Sequence, residues 1–232
     1  MTSALSPDGS LRLVIFDCDG VLIDSESTSC RIVAQAAREA GLDVADEDAV
    51  DRFAGKALPV LKQEIEQATG HALPSDWTAQ LKARFIEAFG RNVDVIDGTH
   101  AMLEAVKALS LPVRVGSNSS IAEMDAKFGA TGLQETLAGR IHSAVDMNAP
   151  KPAPDVYLHA AAEEGVKPEN CVVLEDSDTG ARAAIIAGMT CVLLRKKNEP
   201  APDWPGLVRI ETLSEFPPLL ATALTAQRKR FA

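Results

Sequence analysis

Residues 11–17 read LRLVIFD, and residues 18–26 continue as CDGVLIDSE. The first run is apolar, which is typical of a strand buried inside a sheet. It ends in Asp17, and Asp19 follows two positions later. Because burying a charge without a partner is costly, two carboxylates at the end of a buried strand are expected to meet partners from elsewhere in the chain.

Residues 25–92 have the apolar periodicity of helices and contain no convincing strand. Aromatic residues are few and alanine is frequent, which favours helices. The helical patterns cover residues 28–40, 46–54, 58–69 and 75–90. We therefore predict an all-helical segment at residues 26–92.

After residue 92, short strand patterns alternate with helical patterns. The strands are expected at 113–117, 140–145, 171–175, 190–195 and 207–210, and the helices at 100–109, 154–164, 179–187 and 214–229. Such alternation indicates a parallel sheet covered on both faces. We predict an α/β fold in which a Rossmann-like core, residues 1–25 and 93–232, is interrupted by the helical segment.

Capping signals mark the starts of several of these helices. Thr99 is the predicted N-cap of helix 100–109, and SIAE at 120–123 is a capping box that opens the next helix. Pro154 and Gly165 are expected to begin and end helix 154–164.

The composition excludes several classes of partner. The chain has 232 residues, a net charge of −10 and no basic stripe along a helix, so we expect no nucleic-acid partner. No apolar stretch approaches the length of a membrane span, and the first residues are polar, so we expect neither a membrane partner nor a signal peptide. The cysteines form no CxxC pair, which favours the reducing cytoplasm. They are Cys18, Cys30, Cys171 and Cys191.

Polar side chains collect where the predicted strands end. In open parallel sheets ligands bind at the carboxyl ends of the strands, so these side chains are expected at one edge. Each is individually typical of a turn or a helix cap, but four carboxylates at one edge repel unless a cation neutralises them. Hard oxygen ligands suit Mg²⁺. The set comprises Asp17, Asp19, Ser117, Asn118, Lys151, Glu175 and Asp176.

These residue types favour phosphoryl transfer, which depends on positioning and neutralising the oxygens of the transferred group. A metal ion and a lysine supply positive charge, and a serine hydroxyl supplies a hydrogen bond. One carboxylate can attack phosphorus and form an aspartyl-phosphate. A second carboxylate can protonate the leaving oxygen and then activate water.

Four segments of the chain resemble, in order, the four motifs of the haloacid dehalogenase superfamily. They are DCDGVLIDSE at 17–26, SNSS at 117–120, KPAPDVY at 151–157 and LEDSDTG at 174–180. The helical segment resembles the α-helical cap of the branch that holds β-phosphoglucomutase and small sugar-phosphate phosphatases. The resemblance covers nearly the whole chain up to about residue 195.

The resemblance implies a role for each matching acidic residue. Asp17 would be the nucleophile, and Asp19 would be the general acid and base. The Mg²⁺ site would comprise Asp17, the backbone carbonyl of Asp19, Glu175 and Asp176. Of the last two, Asp176 is the expected direct ligand.

The same resemblance assigns phosphate binding to Ser117 and Lys151, and Lys151 would also offset the charge of the nucleophile. Asn118 matches a variable position and is a candidate neighbour of the phosphate. Charged residues on cap helices are usually only solvated, but three are candidate substrate contacts: Glu26, Arg52 and Lys56. The histidines are dispersed, share no metal-ligand spacing and are interpreted as structural: His71, His100, His142 and His159.

The resemblance leaves several activities to compare. Dehalogenases and phosphonate hydrolases of the family lack the second aspartate, so Asp19 disfavours both. Relatives of β-phosphoglucomutase carry a histidine near Ser29 and an arginine after the cap glycine, where this chain has Lys56, and a lysine does not reproduce an arginine fork. We therefore expect a Mg²⁺-dependent phosphatase acting on a sugar or sugar-acid phosphate. A phosphosugar mutase and a non-catalytic phosphometabolite-binding module remain alternatives.

Overall fold

The computed structural model describes residues 3–230, and a six-stranded parallel sheet lies at its centre. The strands are β1 (Leu13–Phe16), β2 (Ile23–Asp24), β3 (Asp94–Val95), β4 (Val113–Ser117), β5 (Ile141–Ser143), β6 (Cys171–Glu175), β7 (Thr190–Leu194) and β8 (Leu207–Ile210). The order across the parallel sheet is β5-β4-β1-β6-β7-β8, and β2 and β3 form a separate antiparallel ribbon.

Helices cover both faces of this sheet, so the predicted α/β fold is confirmed. The α-helices of the described residues are α1 (Glu26–Glu39), α2 (Ala49–Phe53), α3 (Leu58–Thr69), α4 (Trp77–Arg91), α5 (Thr99–Ala108), α6 (Ile121–Thr131), α7 (Gln134–Leu137), α8 (Asp155–Glu163), α9 (Asp178–Ile186) and α10 (Phe216–Lys229). Helices α8 and α9 share one hydrophobic cluster with the sheet, and α5, α6 and α10 share the other.

Strand β1 lies in the middle of the sheet, between β4 and β6. All four of its residues are fully buried. Because successive side chains point to opposite faces, Leu13 and Ile15 enter one hydrophobic cluster while Val14 and Phe16 enter the other. Two cores therefore fix the register of β1, and with it the position of the residues that follow Phe16.

Helices α1–α4 fill the chain between the two strands of the ribbon. Ile23 pairs with Val95 and Asp24 with Asp94, so the ribbon holds the two ends of the helical segment together. Helix α4 packs against α6 of the core. The predicted segment 26–92 thus begins and ends within two residues of the ribbon and rests on the core through α6.

Two local predictions differ from the structure. Thr99 is not an N-cap: Gly98 occupies that position with φ of 87°, and the Thr99 hydroxyl donates to the carbonyl of Leu22. Helix α7 is absent from the predictions because four residues are too short to show a helical period. The capping box of Ser120 and Glu123 is confirmed.

Among residues 3–230, no helix combines the length and the apolarity that crossing a bilayer demands.

His142 makes the stability of this fold depend on pH. Its side chain is 6% exposed on β5, and burial lowers its pKa from 6.5 to about 4, with Arg114 and His159 acting in the same direction and Glu163 against it. The imidazole is therefore neutral in the folded protein at a pH where the unfolded chain binds a proton. The stability it contributes is present above pH 6.5 and is lost as the pH falls towards 4.

We predict that His142→Gln loses less free energy of unfolding than the wild type between pH 6.5 and pH 4, because the variant takes up about one proton fewer on unfolding. Urea unfolding at a series of pH values measures this difference. The exposed residue His71, replaced by Gln, is the control and should follow the wild type. Parallel curves for the wild type and His142→Gln would contradict the account.

Candidate active site

Three neighbouring strands end at the same edge of the sheet and place polar residues there. Asp17 follows β1, and its backbone N–H donates to the carbonyl of Leu174 at 2.9 Å. Ser117 is the last residue of β4, and Glu175 is the last residue of β6. Asp17 is only 7% exposed and Glu175 is fully buried, so this edge holds carboxylates inside the protein.

Lys151 joins two of these carboxylates. Its Nζ lies 2.5 Å from Asp17 Oδ1 and 2.7 Å from Glu175 Oε1, and the lysine is itself buried. Burial opposes the charge of the ammonium, but Asp17 and Glu175 outweigh burial and raise the pKa of Lys151 above its ordinary value. The site therefore contains a permanent cation between the residue predicted as nucleophile and a fully buried glutamate.

Glu175 uses both carboxylate oxygens on donors from the protein. Oε1 accepts bonds from Lys151 and from the Tyr157 hydroxyl, each at 2.7 Å. Oε2 accepts from the backbone N–H groups of Asp176 and Ser177 and from the Ser177 hydroxyl. Burial raises the pKa of Glu175, but Lys151, Tyr157 and Ser177 together hold it below the ordinary value. Glu175 thus stays ionised and fixes the position of Lys151.

Asp176 has a different environment. Within residues 3–230 no side chain donates to its carboxylate, which lies against Gly20, where a Cβ would overlap it. Burial and the charge of Glu175 raise the pKa of Asp176 to about 7. Burial also raises the pKa of Asp17, and Lys151 offsets this only in part. The two aspartates are thus held as anions less well than Glu175.

This donor set fits a divalent cation. Asp17, Glu175 and Asp176 each offer a carboxylate oxygen, and these atoms lie within 4.8 Å of one another. Among the contacts of the described residues, Asp17 Oδ2 and the carboxylate of Asp176 receive no side-chain donor, while Glu175 is saturated. Carboxylate oxygens that are close together and lack donors are the ligands that Mg²⁺ prefers.

Asp19 faces a second group of donors. Its Oδ1 accepts from the Lys127 ammonium at 2.6 Å and from the Ser25 hydroxyl, and its Oδ2 accepts from the Ser119 hydroxyl at 2.6 Å. Burial raises the pKa of Asp19, but Lys127 and the two hydroxyls outweigh burial and lower it. Its carboxylate does not belong to the three-residue cluster above, so only its backbone carbonyl remains a predicted metal contact.

Lys127 is absent from the sequence predictions, although it is the second buried cation of the site. It lies on α6, between the motifs, and carries no motif signal of its own. One signal was available: with Met124 and Phe128 it forms the i, i+3, i+4 spacing of a buried helix face, where a lysine is unusual.

The remaining predicted phosphate-binding residues lie at the same edge. Ser117 is buried, and its Oγ accepts from the backbone N–H of Ser119 at 3.1 Å. Asn118 Oδ1 accepts from the backbone N–H of Lys151 at 2.9 Å. Asn118 therefore orients the lysine loop in this structure, while its role as a phosphate neighbour stays a prediction.

Within the described residues, the structure shows no contact between the three cap candidates and the carboxylates at the end of β1 and β6. Glu26 is exposed at the start of α1. The guanidinium of Arg52 lies 5.7 Å from the centre of the Phe53 ring. Lys56 pairs with Glu64 at 2.8 Å. None of these contacts tests substrate binding, so all three residues stay predictions.

A second group of possible metal ligands lies apart from this edge. His142, His159 and Glu163 offer ligand atoms within 4.8 Å of one another, a proximity that their spacing in sequence does not show. The guanidinium of Arg114 already binds Glu163 at 2.5 Å and lies 3.3 Å from His142 Nε2. A metal ion would have to displace this cation, so we keep the structural interpretation of these histidines.

Comparisons with known proteins find a family model and relatives that match most of the chain. The model of the haloacid dehalogenase-like hydrolase family matches residues 14–194. The chain is 30% identical to the 6-phosphogluconate phosphatase of Escherichia coli K12 over 180 residues, which is 77% of this chain and 80% of the relative. It is 31% identical to the fructose-1-phosphate phosphatase of the same strain over 189 residues, which is 78% of this chain and 95% of the relative.

The chain also resembles solved structures. One is a haloacid dehalogenase family hydrolase from Deinococcus radiodurans with bound phosphate and sodium, with a TM-score of 0.73 and 31% identity. The match covers 93% of this chain and 97% of the other. The fold of the chain is thus similar to that of a protein crystallised with phosphate.

The close packing around the Glu175 carboxylate leads to a prediction for two glycines that lie in helices. A Cβ at Gly180 on α9 would overlap the Glu175 carboxylate, whereas a Cβ at Gly129 on α6 meets nothing within 4 Å. We predict that Gly180→Ala lowers the free energy of unfolding by about 1–3 kcal/mol. Gly129→Ala should raise it by about 0.5–1 kcal/mol, because alanine favours helices.

Urea unfolding measures both variants. Equal effects of the two substitutions would show that Glu175 is not confined as the structure places it.

Proposed function

The chain belongs to the haloacid dehalogenase-like hydrolase family, and from this membership we propose that it is a phosphatase of small sugar or sugar-acid phosphates. Both of the relatives described above are named phosphatases of such compounds. The observation that carries the proposal is the ammonium of Lys151, which bridges Asp17 and the buried Glu175 beside the open carboxylate of Asp176. This arrangement supplies a nucleophile and positive charge at one point.

We propose that Mg²⁺ binds to Asp17, Asp176 and the backbone carbonyl of Asp19, with Glu175 as the fourth acidic residue of the site. Glu175 acts there chiefly by holding Lys151, because its own oxygens already accept donors. The bound ion would supply charge that neutralises the oxygens of the transferred phosphoryl group.

The residues of the chain account for both chemical steps of hydrolysis. The Asp17 carboxylate attacks phosphorus, the bond from phosphorus to the leaving oxygen breaks, and Asp19, which takes up a proton before this step, gives it to that oxygen. Water then attacks the aspartyl-phosphate, and its proton passes to Asp19 as inorganic phosphate leaves and Asp17 is restored. Lys151 and Ser117 hold the phosphoryl oxygens in both steps, with Asn118 beside them.

We propose that the helical segment 26–92 is a cap that reads the leaving group, with Glu26, Arg52 and Lys56 as candidate contacts. Helix α4 rests on α6 of the core, and the proposed cap would exclude water from the carboxylate edge. The four cysteines are unpaired and buried in the structure, which supports the prediction of a reducing, cytoplasmic setting.

Hydrolysis is favoured over a phosphosugar mutase by two contacts. The hydroxyl of Ser29, near the position where mutases carry a histidine, donates to the carbonyl of Ser25 at 2.9 Å. Lys56 stands where mutases carry the arginine that grips the second phosphate, and a lysine, here paired with Glu64, does not reproduce an arginine fork. A mutase must hold two phosphates, whereas a phosphatase holds one.

We predict that the purified protein releases phosphate from at least one sugar or sugar-acid phosphate, and that Asp17→Asn lowers kcat by about 10⁴-fold or more because the nucleophile is lost. Chelation with EDTA should abolish release, and added Mg²⁺ should restore it. A screen of sugar phosphates, sugar-acid phosphates, nucleotides and phosphoglycolate measures the activity. The exposed α6 residue Asp125, replaced by Asn, is the control and should keep full activity. Full activity of Asp17→Asn would rule out the nucleophile.

Hexose 1-phosphate supplied with a hexose bisphosphate primer distinguishes the mutase. We predict that phosphate is released and that no hexose 6-phosphate forms, because Lys56 rather than an arginine follows the cap glycine. Product analysis by ³¹P NMR measures both species. Primer-dependent formation of the 6-phosphate would replace hydrolysis by the mutase activity.

A further inference from the structure

Helix α6 carries an ammonium in a fully enclosed position. Lys127 is 2% exposed, and its Nζ lies 2.6 Å from Asp19 Oδ1 and 2.9 Å from Ser119 Oγ. Its remaining side is covered by Phe89, whose ring centre is 4.6 Å from Nζ. An ammonium has three N–H donors, so two oxygens and one ring face account for its whole environment.

These contacts fix the Asp19 carboxylate from three separate parts of the chain. Lys127 comes from α6, Ser119 from the loop after β4, and Ser25 from the position just before α1. Ser119 also accepts from Lys127, so the three groups Asp19, Ser119 and Lys127 form a closed triangle. Charge-assisted hydrogen bonds in a buried place are strong and directional, and the carboxylate cannot rotate without breaking one.

The same lysine connects Asp19 to the helical segment. Phe89 is a buried residue of α4, and α4 packs against α6. The attraction between an ammonium and a ring face depends on their separation. A displacement of α4 would therefore uncover Lys127 to water and weaken its hold on Asp19.

We propose that Lys127 is a positioning residue that sets the orientation of the Asp19 carboxylate and couples this orientation to the packing of α4 on α6. The inference rests on the proposed function, because it concerns the carboxylate assigned to proton transfer. For the fold alone an apolar residue at this helix position would serve as well or better, since burying an ion pair carries a large desolvation cost.

The role of Asp19 makes the effect depend on the leaving group. When the bond from phosphorus to the leaving oxygen breaks, a sugar alkoxide needs the proton of Asp19, whereas p-nitrophenolate is stable without it. A poorly oriented Asp19 therefore slows the transfer of the phosphoryl group from a sugar phosphate to Asp17 and largely spares the same transfer from p-nitrophenyl phosphate. The later attack of water also uses Asp19, but that step is common to both substrates. A general loss of structure would slow both equally.

The test compares Lys127→Met with the wild type on p-nitrophenyl phosphate and on the sugar phosphate that the screen finds to react fastest. We expect kcat/KM, which reports the steps up to departure of the leaving group, to fall about 100-fold for the sugar phosphate and less than about fivefold for p-nitrophenyl phosphate. Lys107→Met, at an exposed position of α5, is the control and should match the wild type.

Phe89→Leu and the double variant Asp19→Asn/Lys127→Met distinguish a positioning role of Lys127 from a role in folding alone. Phe89→Leu keeps an apolar side chain but removes the ring face, and it should show the same leaving-group dependence at smaller size. In an Asp19→Asn background, Lys127→Met should cause no further loss of activity on p-nitrophenyl phosphate, because the lysine acts only through Asp19. Urea unfolding should be measured for the wild type, Lys127→Met, Asp19→Asn and the double variant. The effects of Lys127→Met and Asp19→Asn on the free energy of unfolding should not be additive.

Each outcome decides the matter. Equal losses on the two substrates, or a further loss in the Asp19→Asn background, overturn the positioning role while the phosphatase stands. A wild type that releases no phosphate from any substrate removes the proposed function instead. In that case the unfolding data still test the contact between Lys127 and Asp19. Additive effects of Lys127→Met and Asp19→Asn on the free energy of unfolding would overturn this contact, whereas non-additive effects would support it.

Discussion

The structure depends on how like charges are neutralised at the end of β1. Asp17, Asp19, Glu175 and Asp176 come from two adjacent strands and their loops, and in low dielectric their mutual repulsion is large. Among the described residues, two ammonium groups, those of Lys151 and Lys127, contact three of these four carboxylates. With all four carboxylates ionised, two negative charges are left over, which one Mg²⁺ ion would neutralise. Charge balance therefore agrees with the proposed metal.

The fold holds these charges in place by dividing them into two groups. Glu175 and Asp17 form the first group. Lys151 and Tyr157 keep Glu175 ionised, and Asp17 binds the same lysine. Asp19 forms the second group: Lys127 binds its carboxylate, which lies outside the cluster of proposed metal ligands. The separation suits two different tasks, because a nucleophile has to face phosphorus while a general acid has to face the leaving oxygen.

The sequence predicted much of this arrangement, and the reason is physical. An apolar run that ends in charged residues has few positions other than the carboxyl edge of a parallel sheet, so Asp17 and Glu175 could be placed together without coordinates. Lys127 could not be placed in this way. Its partner Asp19 is 108 residues away in the sequence, and its partner Ser119 is 8 residues away. Contacts of this kind depend on how α6 packs, which periodicity alone does not specify.

Anomalous diffraction from a crystal soaked in Mn²⁺ tests the central claim most directly, because manganese takes the same oxygen ligands as magnesium and its position can be measured. The account predicts one peak within about 2.0–2.4 Å of carboxylate oxygens of both Asp17 and Asp176, with Lys151 still bound to Glu175. A crystal with full manganese exposure and no peak between these two aspartates would contradict it.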